Sequence, residues 1–94
     1  MHYMIIETFT QGPEAVYARF RARGRMAPEG LTYLDSCITP DGRRCFQRME
    51  CGDPALLEQW MSAWRDIVGF EVMPVISSAE AAQRFGPTTP ISDG

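Results

Sequence analysis

The stretch Thr39-Pro40-Asp41-Gly42 lies between two runs of strand character, LTYLDSCI (31–38) and RRCFQRME (43–50). Proline followed by aspartate and glycine predicts a type I turn, with the glycine in the left-handed conformation at a bulge. The middle of the chain is therefore a β-hairpin. Pairing Thr39 with Arg43 across the turn would set Cys37 opposite Cys45, Asp35 opposite Gln47 and Tyr33 opposite Met49.

The flanks repeat one pattern. Residues 2–9, HYMIIETF, are an apolar run with aromatic and β-branched residues that stops before Gln-Gly-Pro, and they read as a strand. Residues 13–25 read as a helix, with Pro13 in the first turn, Glu14 at the positive end of the dipole and Gly24 ending it. Pro13, Val16, Tyr17 and Phe20 share one side. After the hairpin, DPALLEQWMSAWRDIV (53–68) gives a second helix, with Asp53 as N-cap, Pro54 in the first position and Gly69 as the stop. Leu57, Trp60, Met61, Trp64 and Val68 form its apolar stripe. Residues 70–76, FEVMPVI, read as a last strand. Pro74 cannot donate to a ladder, which assigns that strand to a sheet edge. A short helix is predicted over 78–85.

The order β-α-β-β-α-β predicts a ferredoxin-like α+β fold. Right-handed crossovers place both helices on one face of a four-stranded antiparallel sheet, with the first and third strands central. With 94 residues the chain makes one small domain, read as 1–85, followed by a C-terminal tail at 86–94 that has nothing to bury. The other sheet face would stay bare, and a second copy of the chain is its expected cover.

Composition narrows the function classes. The net charge is −3, which argues against nucleic-acid binding. The four arginines of RFRARGR (19–25) do not reverse this. The chain contains no lysine and no asparagine, so arginine supplies every cationic side chain. They are read as the flank, far side and C-terminal end of the first helix. No stretch approaches a membrane span. No basic start precedes an apolar run and a cleavage site, and Cys37, Cys45 and Cys51 are odd in number. A cytoplasmic protein with free thiols is expected. Cys37 and Cys45, placed opposite each other, leave a cross-strand disulfide or redox pair open beside the reading as small buried residues. His2 is the only histidine, and no metal-ligand spacing is present.

Strand alternation sorts the sheet into two faces. One set, Met4, Ile6, Thr8, Leu34, Ser36, Ile38 and Phe46, is the more uniformly apolar and is assigned to the helix side. Arg48 falls awkwardly with it. The other set, Tyr3, Ile5, Glu7, Phe9, Tyr33, Asp35, Cys37, Cys45, Gln47 and Met49, is assigned to the open side. Between two copies its polar groups would line a cavity for a small, partly apolar molecule. Glu7 or Asp35 would be the acid/base. Gln47 and Tyr33 would orient the ligand. Tyr3, Phe9, Cys37 and Met49 would form the wall, and Arg25 would reach over the mouth. The other reading of these carboxylates is solvation, with glutamine tying strands together. Trp60 and Trp64 are read as core.

Taken together, YMIIETF, YARFRARGRMAPEGLTYLDS, RCFQRME and DPALLEQW resemble a family of short bacterial proteins known as domain of unknown function 3303. The similarity runs from Met1 to about Ala81. It implies a ferredoxin-like, dimeric α/β-barrel type of fold. That wider group includes cofactor-independent monooxygenases, lactone isomerases, dehydratases and sensing domains. The resemblance supplies no catalytic residues and implies no cofactor. A non-enzymatic oligomerisation or sensing module is the competing reading.

Overall fold

A computed structural model describes residues 1–86; the predicted tail from Pro87 onward lies outside the described residues. The elements are β1 (His2–Phe9), α1 (Pro13–Arg23), β2 (Thr32–Ile38), β3 (Arg44–Glu50), α2 (Ala55–Ser62), β4 (Val68–Val75) and α3 (Ser78–Phe85). The sheet is antiparallel with strand order β2-β3-β1-β4. This is the expected ferredoxin-like α+β fold, with β1 and β3 central and Pro74 on an edge strand.

The second helix is shorter than its stripe suggests. Asp53 accepts the Ala55 N–H at 3.0 Å and so steadies the helix entrance, although Pro54, expected in the first helical position, occupies the cap and the helix starts at Ala55. After Ser62 the chain tightens. Trp64 N–H bonds to Met61 O at 2.9 Å, a three-residue step, and Val68 already belongs to β4. The stripe therefore continues into a turn and a strand that bury the same side: Trp64, Ile67 and Val68 are all buried.

The hairpin turn forms as read. Gly42 N–H bonds to Thr39 O at 2.8 Å and Gly42 has φ of 73°. Its register differs by one residue. Thr39 pairs with Arg44, because the Asp41 carboxylate takes the Arg43 N–H and the Thr39 hydroxyl takes the Arg44 N–H. Arg43 O is committed to Phe9 N–H at 2.8 Å. Hence Asp35 faces Arg48, Ser36 faces Gln47, Cys37 faces Phe46 and Ile38 faces Cys45. A bulge between Tyr33 and Asp35 then restores the expected pairing of Tyr33 with Met49.

The two sheet faces are exchanged relative to expectation. The helix side carries Ile5, Phe9, Met49 and Val68, clustered with Val16 of α1, with Leu57, Trp60 and Met61 of α2, and with Trp64. Tyr3, Phe70 and Val72 pack against this core. The pleat sends Met4, Ile6 and Thr8 outward, together with Phe46, Arg48, Glu71 and Met73. The reason is area. Ile5, Phe9, Met49 and the β4 residues Val68, Phe70 and Val72 offer more apolar surface than the outward set, and Glu7 and Gln47 satisfy part of each other's polarity. Arg48 is thereby relieved. It lies outward and grips Asp35 with two hydrogen bonds of 2.9 and 3.2 Å.

Two links hold the helical layer in place. Arg19 of α1 makes a two-pronged bond to Asp66, both arms 2.7 Å, and donates to Ala63 O at 2.9 Å, which ties α1 to the turn after α2. The indole N–H groups of Trp60 and Trp64 both donate to the carbonyl of Arg25, at 3.0 and 3.1 Å. That carbonyl sits between Gly24 (φ 71°) and Met26 (φ 61°), a run that a free chain would rarely adopt. Trp60→Phe and Trp64→Phe should each lose about 1–2 kcal/mol of stability, and the double variant more than their sum. One change leaves the carbonyl a donor; two leave it none. Urea unfolding of the four proteins measures this, and strict additivity would show that the shared acceptor is unimportant.

Candidate functional site

Glu7 is the sixth residue of β1 and points under the helices. It is 6% exposed. β1 places it between Cys45 of β3 and Phe70 of β4. Its neighbour along the sheet diagonal is Gln47, 5% exposed, whose Nε2 donates to Glu7 Oε2. Gln47 Oε1 is buried and has no hydrogen-bond partner in the protein. A buried acceptor without a donor costs about 1–3 kcal/mol unless something fills the role.

A cavity of about 130 Å³ opens beside this pair. Its floor is Glu7, Cys45 and Gln47; its walls are Phe9, Val16, Trp60 and Trp64; its mouth is bounded by Tyr17, Phe20, Arg25 and Ser36. The mouth is aromatic. Tyr17 is 44% exposed, Phe20 40% and nearby Tyr33 37%, although all three rings lie on or beside the side of the molecule that holds the core. Arg25 stacks 3.7 Å from the centroid of Tyr33 and 5.3 Å from that of Phe20. The Tyr33 hydroxyl is held 2.6 Å from Ser36 Oγ.

The electrostatics follow from burial. Loss of water raises the Glu7 carboxyl from 4.5 to about 7, against the opposing pull of the Gln47 hydrogen bond and the Arg25 charge. Near neutral pH the group exists in both protonation states, as a proton donor or acceptor requires. Cys45 is pushed up to about 12, first by burial and then by the charges of Glu7 and Cys37. Its thiol keeps its proton and is no nucleophile.

Of the residues singled out from sequence, the structure brings together Glu7, Gln47, Phe9 and Arg25, with Tyr33 against Arg25. It removes the others. Asp35 is exposed on the outward face, and its bond to Arg48 holds its carboxyl below the usual range, so it cannot act as a base beside Glu7. Cys37 is exposed on that same face, opposite Phe46, while Cys45 faces the cavity opposite Ile38; the two thiols lie on opposite faces of the hairpin and are free, not a cross-strand disulfide. Met49 is fully buried core, and Tyr3 packs against the core without reaching the cavity. The cavity that Glu7 and Gln47 line lies between sheet and helices, on the face opposite the open one. Sequence reasoning treated Trp60, Trp64, Val16, Tyr17 and Phe20 as packing alone. The available signal was that both helices carry their aromatics in the stripe facing the sheet.

Among the described residues, no cluster of three or more His, Cys, Asp or Glu side chains is placed to hold a metal ion, and no helix is long and apolar enough to cross a membrane. No curated protein and no solved structure matches the chain. A family model does match, over residues 1–88, nearly the whole chain. The protein therefore belongs to the family described as domain of unknown function (DUF3303).

Proposed function

We propose that this protein binds a small, partly apolar molecule in the pocket between sheet and helices, and that Glu7 exchanges a proton with it. The observation that carries the reading is the buried Glu7–Gln47 pair, with an unmet acceptor on Gln47, at the floor of an apolar cavity. A carboxyl group is expensive to bury. A fold with no use for one there would be more stable with an apolar residue. The volume suits a single ring or a short branched chain; an apolar cavity of roughly 150 Å³ takes up benzene. A cytoplasmic setting is part of the proposal, since Cys37, Cys45 and Cys51 are all free thiols.

A fragment screen followed by amide and indole NMR tests this directly. Small cyclic alcohols, phenols and lactones should shift the Trp60 and Trp64 indole N–H signals together with Gln47. Shifts confined to the outward face, or none across the panel, would overturn the reading.

The Glu7 carboxyl also leaves a mark on stability. Below pH 4.5 it is protonated in the folded and unfolded chain alike. Between 4.5 and about 7 the unfolded chain ionises while the folded protein keeps its proton, so stability falls as pH rises and levels off above 7. At ~1.4 kcal/mol per unit this amounts to roughly 3 kcal/mol. Glu7→Gln cannot ionise. Urea unfolding should show it gaining on the natural protein by about that much between pH 4.5 and 8; parallel curves would place Glu7 in contact with water.

A second reading concerns the outward face, where Met4, Ile6 and Phe46 are half-buried and Met73 is 36% exposed. These residues form an apolar centre bordered by Arg44, Glu71 and the Asp35–Arg48 pair. We propose that two copies meet there as a homodimer of the dimeric α/β-barrel type. Light scattering should give twice the chain mass, and Phe46→Glu should give a monomer with an unchanged pocket. A monomeric natural protein would overturn it.

A further inference from the structure

We infer that the ligand of the pocket is a carboxylate, read at the mouth by Arg25, with a hydrogen-bond donor at its far end directed to Gln47 Oε1. This rests on the pocket reading above and goes further by fixing the ligand's chemical class. Arg25 is half-buried, yet among the described residues no carboxylate lies within ion-pair distance of its guanidinium and no protein acceptor takes its side-chain N–H groups. Arg19, Arg48, Arg65 and Arg84 pair with Asp66, Asp35, Glu58 and Glu80, and Arg21, Arg23, Arg43 and Arg44, which also have no ion pair among the described residues, are exposed to water.

The position of Arg25 is built, not incidental. Its backbone carbonyl is the shared acceptor of both tryptophans, which fixes the Cα. Its guanidinium plane is steadied by Phe20 and Tyr33, and Tyr33 is in turn held through Ser36. Stacking occupies the faces of a guanidinium and leaves its edge, which carries the N–H groups, free. That edge matches a planar carboxylate with two parallel hydrogen bonds. At the opposite end the buried Gln47 Oε1 requires a donor, which a hydroxyl or amine supplies. The apolar walls between them select a ring or a branched carbon skeleton.

An anion here would meet Glu7. The charged and titratable groups facing Glu7 are Cys45 from β3, Arg25 from the segment after α1 and Tyr17 from α1. Arg25 is the one cation. A bound carboxylate neutralises it and disfavours ionised Glu7, so the carboxylate form binds best to protein with Glu7 protonated. Affinity is then highest above the ligand's own pKa (~4) and below about 7.

The test compares 3-hydroxybenzoate with its neutral amide, 3-hydroxybenzamide, by NMR titration of the Trp60 and Trp64 indole signals. The natural protein should favour the carboxylate by about tenfold to a hundredfold, the worth of a charge-assisted pair. Arg25→Met keeps the backbone carbonyl and the apolar stem, and should bring the two probes level; Arg25→Lys should recover part of the preference. Carboxylate affinity should fall as pH rises through 7, and Glu7→Gln should remove that decline. Equal affinity for both probes in the natural protein, with no effect of Arg25→Met, would overturn the inference while leaving a neutral-ligand pocket. If neither probe nor any screening fragment reaches the indoles, the pocket reading falls as well.

Discussion

One carbonyl oxygen organises the helical side of this molecule. Trp60 and Trp64 come from consecutive turns of the same stretch, and both direct their indole N–H to Arg25 O. An indole is a donor only, so a buried tryptophan needs an acceptor. Here two large rings share one, drawn from a segment 35 residues earlier in the chain. The connection between α1 and β2 carries Gly24 and Met26 at positive φ, a conformation it would not hold unaided. Once held, it sets Arg25 over the cavity and leaves a void beneath. If the connection relaxed, the rings would lose their acceptor and the cavity would lose its rim.

The element order was legible because each boundary has a local chemical cause. Pro13, Asp53-Pro54 and the Pro-Asp-Gly turn act within a few residues of themselves, and each operates within a residue of where it is expected. Pro74 marked an edge for the same reason. The hairpin register was not legible. It depends on whether Arg43 joins the ladder or the loop, and that is decided by side-chain bonds inside the turn, from Arg43 N–H to Asp41 and from Arg44 N–H to Thr39, together with Phe9 N–H, a donor from a strand more than 30 residues away. The bulge near Leu34 then absorbs the slip, so Tyr33 ends opposite Met49 after all. A single residue of shift moves Ser36 to the pocket side and Asp35 to the outside. This one slip separates a paired surface carboxylate from a candidate base.

The face assignment failed for a related reason. Counting polar residues favoured Met4, Ile6 and Thr8 for the helix side, because the alternative set contained Glu7 and Gln47. A buried polar pair does not disqualify a face when its members bond to each other and the surrounding residues are large. Arg48 was the internal clue. It fell awkwardly under the helices in the expected assignment, whereas the exchanged one gives it water and a carboxylate. Glu7, Gln47, Phe9 and Arg25 were nonetheless singled out together, since alternation within a strand survives an error about which side the strand shows.

What distinguishes the Glu7 neighbourhood from ordinary packing is that its costs are not closed internally. Gln47 spends its amide N–H on Glu7 and leaves its oxygen unpaired; Glu7 keeps a proton that water would take; Arg25 keeps a charge that no described carboxylate meets. Any one of these is tolerable as an accident of a thin core. All three face the same small cavity, and each lacks what the others do not fully provide: a donor for Gln47 and a proton partner for Glu7 at the floor, and a paired anion for Arg25 at the mouth. Every other buried polar contact described here, including the two indoles and their carbonyl, is complete within the chain. Incompleteness gathered at one cavity, and of mutually consistent sign, is what the proposed ligand would relieve.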